Sequence, residues 1–174
     1  MWTLSGFADE ISPDLEEQCE LLETLGIRFI EFRSAWDTNV LDLDDDQVGQ
    51  VRKTIAAHGI SLSSVGSPIG KISVREDFEP HLTRFRRALA VAQELEAPYI
   101  RLFSFFIPEG EDPEAHRDEV VRRMSALAAA AAGHDVVLVH ENEKEIYGDV
   151  PSRTLRLLKQ ETVDRPWGPE RYGW

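Results

Sequence analysis

At 174 residues, the chain is long enough for one domain with a sizeable core and too short for two comfortable ones. Its 32 acidic and 19 basic residues give a formal net charge of −13, which disfavours a nucleic-acid partner because contacts with a phosphate backbone need a positive surface. The sequence shows neither an apolar run near the roughly 20 residues that span a bilayer nor a secretory signal at its start, so we expect a cytoplasmic protein without a membrane partner.

Short strand-like runs alternate with longer helical patterns five times along the chain. The predicted strands begin near residues 4, 27, 60, 99 and 136. Between them, apolar residues recur at spacings of three and four, as on the buried face of a helix. Because helices of this length cross over a sheet, the alternation predicts parallel strands joined by right-handed connections.

Capping and turn residues mark where the predicted helices begin and end. Ser12 is expected to cap the first helix, and Gly26 to end it in the left-handed conformation. The acidic run before the second helix could suggest a metal loop, but Asp44 followed three residues later by Gln47 is a capping pattern. The side chains predicted to form the buried helix faces are Leu15, Cys19 and Leu22 in the first helix, Val48, Val51 and Ile55 in the second, Phe78, Leu82, Phe85, Leu89 and Ala92 in the third, and Val120, Met124, Leu127 and Ala131 in the fourth.

Polar side chains cluster after several different strands. They are Asp9 and Glu10, Arg33, Lys71, and the run 141–144. Neither of the glycine-rich phosphate-binding signatures of open α/β sheets occurs in the sequence. Because a site assembled from many strand ends is typical of a (β/α)₈ barrel, the sequence favours a barrel over an open doubly wound sheet.

Five stretches at these strand ends carry a family resemblance. They are GFADEISPDLEEQ, FIEFRSAWDTNVLDL, GSPIGKI, IRLFSFFIPEG and VLVHENEKEIYGD, which together span residues 6–149. In this order, each at or beyond a strand end, they resemble the sugar phosphate isomerase/epimerase family of xylose isomerase-like barrels. The resemblance implies an α/β fold of TIM-barrel-type (β/α) repeats with parallel strands, a partial barrel with about five of the eight units.

The resemblance also implies a divalent metal, Mn²⁺, Mg²⁺, Co²⁺ or Zn²⁺, at the carboxyl ends of the strands. Its usual ligands in the family are a Glu from the fifth strand, an Asp from the sixth, a His from the seventh and a Glu from the eighth, and Glu141 matches the first of these. The metal binds a hydroxyl and the carbonyl of the sugar and stabilises the enediolate-like charge that forms when a proton moves. The implied function is a metal-dependent isomerase or epimerase of sugars or sugar phosphates.

The run HENEK after the fifth strand holds the first group of candidate site residues. Glu141 is the expected metal ligand and, with Glu143, a candidate catalytic residue, while Lys144 is a candidate substrate contact. His140 and Asn142 alternate with the two glutamates and are expected to point to the opposite side as supports. Alternation does not decide which set faces the barrel interior, because both faces of a covered strand are apolar. From spacing alone, Glu141 and Glu143 could equally be a solvated strand end.

Four further residues are candidates for substrate binding. Lys71 ends the loop GSPIGK, whose glycines let backbone N–H groups approach a phosphate or carboxylate, although a plain loop lysine fits the pattern equally well. Arg33 and Arg101 can fork onto an oxyanion or form an internal ion pair, for example with Glu31. Glu10 either lines the mouth or begins the first helix. The remaining histidines, which lie on or beside helices and are expected at the surface, are His58, His81, His116 and His134.

The C-terminal part departs from the family pattern. We expect a partial barrel over residues 1–160 and a divergent tail over residues 161–174, which contains no apolar strand. The Asp, His and second Glu ligands are then not encoded, so we expect weak or absent metal binding and a truncated or frameshifted product that is inactive alone.

Two open sheet edges in such a fold invite pairing, which predicts a homo-oligomer or a completing chain. The alternatives to an isomerase are a non-catalytic sugar-binding or partner-pairing remnant of the barrel and, less favoured, an abasic-site endonuclease-like protein.

Overall fold

The computed structural model describes residues 2–161, with side chains as far as residue 158. The predicted tail therefore lies outside the described residues from position 162 onward. In chain order the elements are α1 (Leu15–Thr24), β1 (Phe29–Phe32), β2 (Ser34–Ala35), β3 (Thr38–Asn39), α2 (Asp45–Ala57), β4 (Ser61–Val65), α3 (Phe78–Glu94), β5 (Tyr99–Leu102), a 3₁₀ helix (Pro113–His116), α4 (Arg117–Ala131), β6 (Val137–His140), a second 3₁₀ helix (Tyr147–Asp149) and α5 (Pro151–Glu161).

One parallel sheet organises the fold. Its strand order is β1-β4-β5-β6, and each neighbouring pair is parallel. Helix α2 lies between β1 and β4 in the chain, α3 between β4 and β5, and α4 between β5 and β6. Strands β2 and β3 form only a small antiparallel hairpin. The predicted βα alternation with parallel strands, in the form of a partial barrel, is therefore confirmed.

The predicted first strand is not formed. Residues 2–8 have no regular secondary structure, and one backbone hydrogen bond joins them to β1, from the Glu31 N–H to the Gly6 carbonyl at 3.0 Å. Trp2 is 92% exposed and Leu4 is 64% exposed. A strand needs a ladder of backbone hydrogen bonds and a covered face. The described sheet consequently has four strands where the sequence predicts five.

The helix ends follow local capping chemistry, with one shift at α1. Asp44 forms the predicted capping box, because its carboxylate accepts from the Gln47 N–H at 2.8 Å and the Gln47 side chain accepts from the Asp44 N–H at 2.9 Å. Helix α1 is capped by Asp14 and not by Ser12 as predicted. The Asp14 carboxylate accepts from the first free N–H groups of the helix, while the Ser12 hydroxyl accepts from the Asp14 N–H.

The helices pack on one face of the sheet. Every side chain predicted for the buried faces of α1 to α4 is at most 9% exposed, which confirms those predictions. Burial of each large apolar side chain contributes about 1.5–3 kcal/mol. The surface prediction for His81 is wrong, because His81 lies on the same face of α3 as Phe78 and Phe85 and is 7% exposed. No helix of the described residues is long and apolar enough to cross a bilayer.

The other face of the sheet, which we call the inner face, is open within residues 2–161. Tyr99 of β5 is 39% exposed, and Val137 and Val139 of β6 are 40% and 36% exposed. Because side chains alternate along a strand, Arg101 shares this face with Tyr99, and Glu141 continues it beyond Val139. The structure thereby decides which alternate set faces the barrel interior.

Candidate functional site

Charged and aromatic side chains gather where β1, β4, β5 and β6 end. We call this group the carboxyl-end cluster, and it consists of Phe7, Asp9, Glu10, Arg33, Lys71, Arg101, Phe103, Glu141 and Glu143. Parallel strands place their carboxyl ends at one edge of the sheet, so residues far apart in the sequence meet there. Six of the sequence-predicted site residues are in the cluster: Glu141, Glu143, Lys71, Arg33, Arg101 and Glu10.

Arg101 is at the centre of the cluster and is nearly buried. Its guanidinium donates to the Gly66 carbonyl at 3.1 Å and contacts the Glu141 carboxylate at 3.3 Å. The Phe7 and Phe103 rings each lie 5.1 Å from it. A buried guanidinium is tolerated only when hydrogen bonds and a counter-charge replace water, so Arg101 is a structural centre as well as the partner of Glu141.

Lys71 and Glu143 form a partly exposed pair of opposite charges in the cluster. The Lys71 ammonium lies 2.6 Å from Glu143 Oε2, and the side chains are 35% and 33% exposed. The same ammonium lies 4.3 Å from the centre of the Phe103 ring. The pair is therefore open to a small molecule only at its exposed third, because Glu143 Oε2 itself is buried against Lys71.

Arg33 is occupied by two carboxylates. Its Nε lies 2.7 Å from Asp9 Oδ2, and its Nη2 lies 3.2 Å from Glu10 Oε1. The hydrogen bond with Asp9 is the main cause of the raised Arg33 pKa. Asp9 Oδ2 also accepts from the Ser34 hydroxyl at 2.7 Å, whereas Asp9 Oδ1 is buried without a hydrogen bond within the described residues. The ion pair predicted as an alternative therefore exists, but with these residues and not with Glu31.

Cations and aromatic rings alternate across the cluster. The order is Arg33, Phe7, Arg101, Phe103 and Lys71, with 4.3–5.1 Å between each cation and the neighbouring ring centre. Sequence analysis identified the three cations but neither ring. Phe103 directly follows β5, so its position at a strand end was the available signal.

His140, whose side chain points from β6 toward the helices, supports the loop that follows this strand. His140 Nε2 lies 3.0 Å from the Ser104 hydroxyl, which also accepts from the Gly148 N–H at 2.7 Å. A Cβ on Gly148 would lie 2.7 Å from Ser104 Oγ and from His140 Cε1, so only glycine fits. Burial lowers the His140 pKa to about 4. His140 thus contacts the next turn on the side opposite to Glu141, as the alternation predicts.

Lys144 lies apart from the cluster. It occupies an exposed turn, and its side chain makes no hydrogen bond or ion pair with the described residues. Asn142 is also exposed. The structure therefore brings together the other predicted site residues without these two.

The residues present do not form a metal site by themselves. Among the described residues, no three or more His, Cys, Asp or Glu side chains are grouped so that they could hold a metal ion. The Glu141 carboxylate faces the Arg101 guanidinium instead. A divalent cation in a protein normally needs several such ligands, so a metal here requires ligands from outside the described residues.

A family model described as xylose isomerase-like TIM barrel matches residues 19–167. No curated protein sequence matches the chain significantly. The fold agrees with the family model, since the described residues form parallel βα repeats.

Solved structures share this fold at low sequence identity. One is a xylose isomerase-like TIM barrel protein from Mycobacterium smegmatis in complex with magnesium, with a TM-score of 0.75, 18% identity, and coverage of 94% of this chain and 62% of that chain. D-psicose 3-epimerase from Clostridium cellulolyticum H10, with D-tagatose, has a TM-score of 0.69, 14% identity and coverage of 90% and 59%. AP endonuclease, family 2, from Brucella melitensis has a TM-score of 0.69, 15% identity and coverage of 90% and 63%. The chain thus spans about three fifths of the length of each.

Proposed function

Because the chain belongs to the family of xylose isomerase-like TIM barrels, we propose that it carries part of the active site of a sugar or sugar phosphate isomerase or epimerase. The observation that carries this proposal is the pair of Lys71 and Glu143, a carboxylate and an ammonium 2.6 Å apart and about one-third exposed. Isomerisation and epimerisation both need a base that moves a proton and a positive charge that stabilises an oxyanion. The D-psicose 3-epimerase of the same fold supports a sugar as substrate.

Glu143 acts as the base, and Lys71 stabilises the oxyanion. The Glu143 carboxylate takes a proton from the carbon beside the sugar carbonyl, and the electrons of the broken C–H bond move onto the carbonyl oxygen. The Lys71 ammonium stabilises the resulting negative oxygen. Transfer of the adjacent hydroxyl proton to the former carbonyl oxygen, followed by return of the proton from Glu143 to the former carbonyl carbon, completes an isomerisation. Return of a proton to the opposite face of the original carbon completes an epimerisation and requires a second acid. The Phe103 ring beside Lys71 excludes water from one side of the site.

Glu141 is proposed as the metal ligand that the described part of the chain supplies. Its position after β6 matches the fifth-strand Glu of the family resemblance, and the related structure from Mycobacterium smegmatis contains magnesium. A divalent metal, if bound there, would supply Lewis-acid polarisation of the sugar carbonyl. Any further ligands would come from outside the described residues.

Replacement of Glu143 by glutamine tests the proposal. We expect this variant to lower the rate of interconversion of the sugar or sugar phosphate substrate by about a hundredfold, because the amide cannot accept the proton. The measurement is a screen of aldoses, ketoses and their phosphates, with and without Mg²⁺ or Mn²⁺, followed by kinetics on the best substrate. Proton exchange with deuterated water at the carbon beside the carbonyl gives a second readout.

Glu145→Gln is the matched control for this experiment. Glu145 lies two residues further along the same loop and is exposed. We expect activity close to that of the unmodified chain, because Glu145 is not in the carboxyl-end cluster. A Glu143→Gln variant as active as Glu145→Gln, or a complete lack of turnover and exchange across the screen, contradicts the proposed function.

The open inner face leads us to propose that two copies of the chain pair through it. Tyr99, Val137 and Val139 expose apolar surface there, and β6 has no strand neighbour on its outer side within the described residues. Each chain contributes four parallel strands to one sheet, so two copies supply the eight strands of a closed barrel. Pairing also covers strand edges that otherwise invite aggregation.

Val139→Asp is expected to convert this dimer into a monomer. When two faces meet, a carboxylate at position 139 loses water, and the only cation opposite it in the described sheet, Arg101, is already paired with Glu141. In the monomer, position 139 is 36% exposed and tolerates the charge. Sedimentation at micromolar concentration measures the mass. Leu25→Asp, at an exposed position just beyond α1, is the control and leaves the dimer intact. A monomeric unmodified chain, or a dimer that survives Val139→Asp, contradicts the pairing.

The abasic-site endonuclease reading has less support. The AP endonuclease neighbour shows a shared fold alone at 15% identity. In the carboxyl-end cluster, Arg33, Arg101 and Lys71 are each paired with a carboxylate. With a formal charge of −13 over the chain, this leaves no free positive patch in the cluster for a phosphate backbone.

A further inference from the structure

A buried histidine on α3 holds the loop between β4 and α3 through a hydrogen bond. The Gly70 N–H donates to His81 Nε2 at 2.7 Å, and His81 is 7% exposed. An imidazole nitrogen that accepts a hydrogen bond carries no proton, so this ring is neutral with its hydrogen on Nδ1. Burial lowers the His81 pKa to about 4, helped by the nearby Arg84 and Arg123, which favours the neutral ring.

The same loop is pressed against the segment that follows β5. The Phe103 N–H donates to the Ile69 carbonyl at 2.7 Å, and the Phe105 N–H donates to the Gly70 carbonyl at 2.9 Å. Gly70 has a φ of +91°, and a Cβ at this position would lie 2.0 Å from the Phe103 carbonyl oxygen. The backbone at residue 70 therefore contacts the His81 ring on one side and the Phe103 backbone on the other.

Lys71 is the next residue along the chain. Its ammonium reaches the Phe103 ring at 4.3 Å and Glu143 at 2.6 Å. The Gly70–Lys71 peptide, whose carbonyl accepts from the Phe105 N–H, sets the direction in which Lys71 leaves the backbone. The hydrogen bond from the Gly70 N–H to His81 fixes the preceding peptide.

We propose that His81 is a positioning residue for the active site, whose neutral imidazole holds Gly70 and thereby directs Lys71 onto Phe103 and Glu143. This inference rests on the proposed function only in giving Lys71 a sugar oxyanion to stabilise. The charged groups that act on the ring are Arg84 on α3, Arg123 on α4 and Glu76 in the loop itself. Gain of a second proton by the ring removes the acceptor and releases the loop.

The hydrogen bond is tested first in the unmodified chain by nuclear magnetic resonance. We expect a scalar coupling between the Gly70 amide nitrogen and His81 Nε2, because the bond joins two nitrogens directly. We also expect a nuclear Overhauser effect between the Lys71 side chain and the Phe103 ring. Absence of the coupling at neutral pH overturns the proposal without any variant being needed.

The positioning role is tested with His81→Ala, His81→Gln and the control Leu82→Ala. In His81→Ala, we expect amide exchange at Gly70, Lys71 and Phe105 to rise by roughly tenfold or more relative to the interior of α3, with loss of the contact between Lys71 and Phe103. His81→Gln keeps a hydrogen-bond acceptor, so we expect slow amide exchange and the contact between Lys71 and Phe103 to be retained. Leu82→Ala, which removes a buried side chain from the same helix, speeds exchange throughout the chain but keeps the contact.

Two results overturn the inference. One is exchange in His81→Ala that rises uniformly, as in Leu82→Ala, because this indicates a purely structural role. The other is a retained contact between Lys71 and Phe103. These readouts need no substrate, so failure of the sugar screen leaves the inference standing, and its own failure leaves the role of Glu143 untouched.

Discussion

Replacement of Gly70 by alanine is expected to lower the free energy of unfolding by roughly 2–5 kcal/mol. Two effects add. An alanine at a φ of +91° is strained, and its Cβ would lie 2.0 Å from the Phe103 carbonyl oxygen and 2.4 Å from the carbonyl carbon. Because these are backbone atoms of a paired segment, they cannot move aside as the end of a side chain can. Urea unfolding followed by circular dichroism measures the loss.

Gly49→Ala is the matched control for this prediction. Gly49 lies inside α2, and apart from its chain neighbours and the backbone of its own helix no atom is within 4 Å of the position that its Cβ would occupy. The same chemical change is therefore expected to stabilise the chain by about 0.5–1 kcal/mol, because alanine favours the helix. A loss below about 1 kcal/mol in Gly70→Ala contradicts the close contact with Phe103.

Acidification from pH 6.5 to pH 4 is expected to remove about 3 kcal/mol of stability through His81. Its pKa is lowered from 6.5 to about 4 in the folded chain, mainly by burial. The unfolded chain keeps a pKa near 6.5, so it binds a proton more readily than the folded chain between these two values. The contribution of His81 to the free energy of unfolding is complete above pH 6.5. It falls by about 1.4 kcal/mol per pH unit between pH 6.5 and pH 4 and is lost below pH 4.

Other ionisable groups also change the stability of the chain near this pH range, some in the same direction as His81 and some in the opposite one. His140 also has its pKa lowered to about 4 by burial and adds to the acid sensitivity. His58 has a raised pKa because Glu16 and Glu23 accept hydrogen bonds from its ring, so it opposes the trend. The pKa of Glu119 is lowered to about 2 by Arg122 and Arg123, and its contribution is lost only below pH 4.5.

His81→Gln isolates the contribution of one histidine. In urea unfolding at several pH values between 6.5 and 4.5, we expect this variant to lose the slope that corresponds to one proton. His134→Gln, at an exposed position after α4, is expected to keep the slope of the unmodified chain. Equal slopes in the two variants contradict the assignment of the acid sensitivity to His81.

The sequence alone was sufficient for the helices and for the alternation of the fold. The capping box of Asp44 and Gln47 and the buried helix faces depend on residues three or four positions apart, so local spacing predicts them. The family resemblance follows from stretches at strand ends, and the family model agrees with it. The same local rules placed the cap of α1 two residues early, because Ser12 and Asp14 both suit an N-cap position.

Predictions that depend on neighbours in space were less successful. The segment 2–8 has an apolar strand pattern, but a strand also needs paired edges, and only β1 lies beside it within the described residues. His81 has the spacing of the buried face of α3, three residues after Phe78 and four before Phe85. The sequence does not show that the Gly70 N–H supplies the hydrogen bond that a buried imidazole needs.

Periodicity and chain order are enough to predict the α/β class, the helix faces and the ionisable residues after each strand. The side-chain partners became known from the folded chain: Glu141 shares the inner face with Arg101, Arg33 pairs with Asp9 and Glu10, and Lys71 contacts Glu143. The physical reason is that charge partners and burial depend on which strand ends lie side by side. In a parallel sheet those ends are separated along the chain by whole helices.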